Sequence, residues 1–170
     1  MGTDIRAFIE YRPSPDQIWR THSEVFPERD YRLFSAIAGA SFGRDDSITL
    51  FEARGFPADA SAFAQIAYYA HIVPDEEFVR DGLSRFVRAG DVAEIIANGG
   101  HYRHRSTGLI SHPDARYPSS LSLSELQTAV RAVESRDETP GFAWQLALRT
   151  MQAIETELPA EVRLVFWFEH

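Results

Sequence analysis

The chain has 170 residues, 44% of them hydrophobic and 12% aromatic, which is enough to bury the core of one domain and too apolar for a disordered chain. It contains no cysteine, and all seventeen of its basic residues are arginine; disulfides, thiolate catalysis, cysteine-type zinc sites, Schiff-base chemistry and a phosphate-loop lysine are thereby excluded. A net charge of −8 disfavours binding to duplex nucleic acid or anionic membrane, both of which need a basic surface, and suits a basic protein partner.

"TDIRAFIEY" (3–11) alternates, with Ile5, Ala7 and Ile9 on one face and Asp4, Arg6, Phe8 and Glu10 on the other, the period-2 pattern of a half-buried strand. Charges at positions 4, 6 and 10 rule out a signal peptide or membrane span there, so a soluble, cytoplasmic protein is expected. "RPSPD" is a turn and "QIWRTH" (17–22) a returning strand. Asp30 is placed to cap a helix in "YRLFSAIAGA" (31–40), with Phe34, Ile37 and Ala38 on its buried side. "SITLFEA" (47–53) reads as a third strand, and "RGFPADAS" (54–61) as a loop leading into a helix over 62–70. "DEEFVRDGLSRFVRAG" (75–90) opens with acids and ends in arginines and glycine, as a helix does, and "DVAEIIAN" (91–98) predicts another short one.

Ser122 and Glu125 have capping-box spacing, predicting a helix that runs to about Glu134. Thr139 followed by Pro140 is a second helix start, and Trp144, Leu148, Met151, Ile154 and Leu158 give that helix an apolar stripe before Pro159. "EVRLVFWFEH" is a very apolar last strand, with Arg163 and Glu169 on one face and Leu164, Phe166 and Phe168 on the other, and needs a central place in a sheet. The expected fold is one α+β domain over 1–170: a mainly antiparallel sheet that includes both terminal strands, covered on one face by helices.

Candidate chemistry concentrates in "HYRHRSTGLISHPDARYPSS" (101–120), where residues 101–116 set three arginines against one aspartate inside an acidic chain. Arg103, Arg105 and Arg116 offer bidentate forks to a phosphate or carboxylate, with Tyr102 and Tyr117 as stacking surfaces. His101 and His104 have H-x-x-H spacing, with His112 and Asp114 nearby, but no H-E-x-x-H occurs and flanking glycines argue against a helix holding both rings, so neither a metal nor a cofactor is assigned. On the terminal strands Asp4, Arg6, Glu10, Arg163 and Glu169 fall on one sheet face, either as a cross-strand ion-pair ladder or, with Asp4 and Glu10 as paired carboxylates, as a pocket. No nucleophile elbow and no G-x-G-x-x-G is present.

Five stretches, "GTDIRAFIE", "RDYRLFSAIAG", "RGFPADAS", "RYPSSLSLSEL" and "VRLVFWFEH", together resemble a family of uncharacterised phage, prophage and actinobacterial proteins that opens on G-x-D-I-H and closes on V-R-x-V-F-W-F-D-N. The resemblance implies a mobile-element setting and no particular activity. Where the family carries an opening histidine, a mid-chain histidine and a final Asp-Asn, this chain has Arg6, Arg116, Glu169 and His170, so a histidine-dependent role would be lost and an anion-binding one kept. The leading reading is a non-catalytic protein holding a small anionic, nucleotide-like ligand or a protein partner through Arg103, Arg105, Arg116, Arg6, Arg163, Tyr102 and Tyr117, with homo-oligomerisation left open. The alternatives are a hydrolase or transferase with His101, His104 or His112 as base and Asp4, Glu10 or Asp114 as its partner, and an acidic inhibitor or immunity protein.

Overall fold

The computed structural model describes residues 2–40, 48–77, 86–93, 110–111, 115–136 and 139–169. The chain forms two compact units, residues 1–64 with 116–170, and residues 65–115. The first holds a four-stranded antiparallel sheet in the order β2-β1-β7-β6, built from β1 (Asp4–Arg12), β2 (Arg20–Val25), β6 (Arg116–Ser122) and β7 (Glu161–Glu169). The expected α+β architecture is therefore present, with both terminal strands side by side and β7 inside the sheet. In the second unit β3 (Tyr69–Val73) lies between β4 (Phe86–Arg88), to which it is parallel, and β5 (Ile110–Ser111), to which it is antiparallel.

Three helices cover one face of the first sheet: α1 (Tyr31–Ala38), α3 (Leu123–Glu134) and α4 (Phe142–Glu157). A further helix, α2 (Ala62–Tyr68), leads the chain into the second unit. The period-2 stripes of β1 and β7 supply Ile5, Ala7, Ile9, Leu164, Phe166 and Phe168 to a common core with Leu33, Phe34 and Ile37 of α1, Leu126 and Val130 of α3, and Trp144, Met151 and Ile154 of α4. Phe34 centres this cluster, 4.7 Å from the Phe168 ring and 6.4 Å from that of Trp144.

The opposite face of the sheet is buried too. Phe8, Val165 and Trp167 are all inaccessible, Phe8 stacks on Trp167 at 5.6 Å, and Phe56 of the irregular segment 54–61 meets Trp167 edge-on at 6.0 Å. This two-sided burial is why the last strand reads as nearly continuous apolar sequence; each such side chain contributes about 1.5–3 kcal/mol on burial.

Local signals decide the helix ends. Asp30 accepts a hydrogen bond from Leu33 N at 2.9 Å, and Gly39 closes α1 with φ +64°. The Ser122–Glu125 capping box is complete and α3 ends at Glu134 as expected. Thr139 does not cap α4. Gly141 stands at that position, and the Glu28 carboxylate, arriving from far away in sequence, accepts from Ala143 N at 3.1 Å.

Other elements differ from the sequence expectation. Residues 48–53 form no strand, because Leu50 N and Phe51 N both bond to Ala36 O and finish the last turn of α1 instead of a ladder. The helix expected to 70 stops at Tyr68, where the aromatic and β-branched run 69–73 becomes β3. Within 75–90 the described parts are a 3-10 turn at Asp75–Glu77, strand β4, whose pairing to His71–Val73 overrides helix propensity, and the start of a second 3-10 turn at Ala89–Asp91; residues 78–85 lie outside the described residues, as does most of the helix expected over 91–98. The returning strand occupies 20–25 and not 17–22, since Pro13 and Pro15 prolong the turn. Strand β6 was not expected at all.

Candidate functional site

The register of β1 on β7 pairs Asp4 with Glu169, Glu10 with Arg163 and Arg12 with Glu161, so the charged residues of the terminal strands do share one sheet face. They form an ion-pair ladder. Arg6 donates to Glu24 at 2.6 Å and lies 4.0 Å from Glu169, Arg12 holds Glu161 at 2.6 Å, and Arg29 grips Asp4 through two bonds of 2.6 and 3.0 Å. The Arg29 hydrogen bonds outweigh burial and hold the Asp4 carboxyl below its ordinary range. Asp4 and Glu10 do not meet: they stand six residue steps apart along β1, about 20 Å.

One rung of the ladder is buried. Glu10 is wholly inaccessible, and its carboxylate accepts from Arg163 Nε at 2.9 Å and from Ser61 N at 2.8 Å. Arg163 also donates from Nη1 to Asp59 Oδ1 at 2.9 Å and from Nη2 to the Asp59 carbonyl at 3.3 Å. Asp59 in turn accepts from the Trp19 indole at 3.0 Å. Burial pushes Asp59 up, but the Arg163 hydrogen bond and charge, with the indole, prevail and leave its carboxyl below the usual range. Two guanidinium groups lie over the Trp19 ring, Arg163 at 3.9 Å and Arg12 at 4.5 Å from its centre. Segment 54–61 is thus fastened to the sheet by polar contacts, and Ser61 Oγ also accepts from Ala64 N at the head of α2.

This network backs a groove of about 390 Å³, whose lining includes Trp19, Arg54, Ser120, Glu125, Glu155 and Arg163. Arg163 of the last strand and Ser120, at the end of the basic stretch, thereby reach one cavity. Arg54 is held in place on three sides: Nη2 donates to Glu125 Oε1 at 2.5 Å, Nη1 to Glu125 Oε2 at 3.1 Å and to Ser120 O at 3.3 Å, while its guanidinium lies 5.7 Å from the centre of the Phe51 ring. Glu125 is also bonded by Ser122 N at 2.9 Å, and Arg54 first, then Ser122 against burial, keep its carboxyl below the ordinary range. The Nε edge of Arg54, with Nε–H and one Nη2 hydrogen, has no partner among the described residues.

Of the residues singled out in the sequence, Arg6 and Arg163 are committed to carboxylates. Arg116 is exposed and forms no ion pair among the described residues. It sits at a bulge of β6 against β7, beside Tyr117, which is 44% exposed, adopts φ +49° and touches Phe168 edge-on at 6.3 Å. His101, Tyr102, Arg103, His104, Arg105, His112 and Asp114 lie outside the described residues. Among the described residues no group of three histidine or acidic side chains could hold a metal, and no helix is long and apolar enough to cross a membrane.

Trp19, Arg54 and Asp59 were not singled out in the sequence. The clue was present in "RGFPADAS", a loop whose glycine and proline punctuate two charged residues and a serine with capping potential, but a loop shows no periodicity that would aim Arg54 and Asp59 at the sheet. Compared with protein-family models, curated proteins and solved structures, the chain matches none.

Proposed function

We propose that this chain is a non-catalytic binding protein that holds a small ligand through an anionic group in the groove beside Arg54. The observation that carries the reading is the unused bidentate edge of Arg54, on a guanidinium already immobilised by Glu125 and Ser120. A preorganised fork loses little entropy when it meets a carboxylate or phosphate. Arg163 serves from behind, its donors spent on Glu10 and Asp59. The sequence resemblance supplies the setting for such a protein, phage or prophage and their hosts.

Thermal shift and calorimetry with acetate, glutarate and inorganic phosphate test this. A ligand present at a hundred times its Kd stabilises the folded state by about 2.7 kcal/mol. At least one probe should do so, and Arg54→Gln should abolish the effect while Glu125 stays bonded to Ser122. No response to any probe, or the same response in the variant, would refute the reading.

A further inference from the structure

We infer that the ligand of this groove is a small zwitterion, its anionic group on the free edge of Arg54 and an ammonium group on Glu155; this rests on the reading just given. The lining sets two arginines against three glutamates, Glu125, Glu155 and Glu161. Most of these charges are already satisfied by one another. Arg163 is bound to Glu10 and Asp59, Glu161 to Arg12, and the end of the Arg54 fork to Glu125. What remains open is one donor edge, on Arg54, and one carboxylate, Glu155, which has no hydrogen bond or ion pair among the described residues.

Glu155 lies in the last turn of α4, where the helix dipole is negative and no basic side chain is present. Glu155 is exposed, so water screens much of that penalty, and an arriving cation removes what remains. A plain anion bound at Arg54 would share the groove with that uncompensated charge, and a plain cation would leave the Arg54 edge unfilled. A ligand carrying both charges answers both groups and leaves the groove's total charge unchanged.

The size and walls agree. The volume of about 390 Å³ lies toward the small end of ligand pockets, roughly 300–1,000 Å³. Trp19, although it lines the groove, has arginines over its ring and is only 8% exposed, so it offers no platform on which a base could stack. The occupant is therefore an aliphatic amino acid type of molecule, and the nucleotide-like ligand expected from the sequence does not suit this groove.

Calorimetry on the full chain with glycine, 3-aminopropanoate, 4-aminobutanoate and 6-aminohexanoate, each beside its amine-free partner acetate, propanoate, butanoate or hexanoate, tests the inference. At least one amino compound should bind about tenfold more tightly than its partner, the margin of one charge-assisted contact. Glu155→Gln should remove that margin without weakening the amine-free acid, whereas Arg54→Gln should weaken both. Equal affinity of amino and amine-free acids, or a margin that survives Glu155→Gln, overturns the zwitterion while the Arg54 reading stands. Failure of every compound to bind overturns the zwitterion, and the Arg54 reading falls with it when glutarate and inorganic phosphate fail as well.

Discussion

Replacing Arg163 with methionine would leave the Glu10 carboxylate inside the protein with only the Ser61 amide as a partner. The wild-type side chain gives it a 2.9 Å hydrogen bond from Nε, with the charged Nη2 also 2.9 Å away, in a place where Glu10 is inaccessible and only 12% of the Arg163 side chain is exposed. Stranding one member of such a buried pair typically destabilises by about 3–5 kcal/mol, because the desolvated charge loses its counter-charge. For a chain of this size that corresponds to a fall in Tm of about 6–20 °C. Removing both charges is a different perturbation. In Glu10→Leu/Arg163→Met no carboxylate is left stranded, and the main loss is the Ser61 amide, a buried donor worth about 1–3 kcal/mol when orphaned. The double variant should therefore be more stable than Arg163→Met alone, as urea denaturation of both would show. A loss below about 1 kcal/mol for Arg163→Met, the scale of an exposed ion pair, would refute the argument, as would a double variant whose loss equals the sum of the singles.

Three further predictions concern the fold. Glu28→Ala should cost about 1 kcal/mol by uncapping α4, while Thr139→Ala stays within about 0.5 kcal/mol, a contrast measurable by thermal denaturation. Asp4, Asp59 and Glu125 all have lowered folded-state pKa values, so the unfolded chain takes up protons first; their contribution is complete at neutral pH and is lost as the pH falls from about 5 through the lowered values. Urea midpoints across that range should drop less steeply in Asp59→Asn than in the parent. Gly39→Ala should destabilise by about 1 kcal/mol, since its φ of +64° is unfavourable for a Cβ that would in addition collide with the Glu52 carboxylate. A neutral Gly39→Ala in the same denaturation assay would contradict that account of the end of α1.

Where a signal was local, it was legible in the sequence. The alternation of Ile5, Ala7 and Ile9, the apolar run of the last strand, Asp30 before α1 and the Ser122–Glu125 box each specify an element from neighbouring residues. What escaped was non-local. Glu28 displaces Thr139 as the cap of α4 only because the tertiary fold delivers it, and residues 48–53 spend two amides on Ala36 O, which no periodicity encodes. The shared face of Asp4, Arg6, Glu10, Arg163 and Glu169 followed from alternation alone, yet the same pattern could not reveal that segment 54–61 would bury Glu10 and bring Arg54 and Asp59 to that side of the sheet. Basic character drew attention to Arg6 and Arg163, but charge counts do not show which arginines are already paired, and those two are.

A ligand entering the groove beside Arg54 has a direct reporter of place in the three tryptophans. Their indole N–H groups have separate surroundings: Trp19 bonds to Asp59 at 3.0 Å and lines the groove, Trp144 bonds to Glu28 O at 3.1 Å, and Trp167 bonds to Glu169 at 2.9 Å. In a nitrogen–proton correlation spectrum titrated with the tightest of the carboxylate, phosphate or amino acid probes, the Trp19 indole signal should move and saturate with the calorimetric Kd. Those of Trp144 and Trp167 should stay in place, and Arg54→Gln should abolish the movement. A saturable change at Trp144 or Trp167 with none at Trp19 would contradict the claim and place the ligand elsewhere.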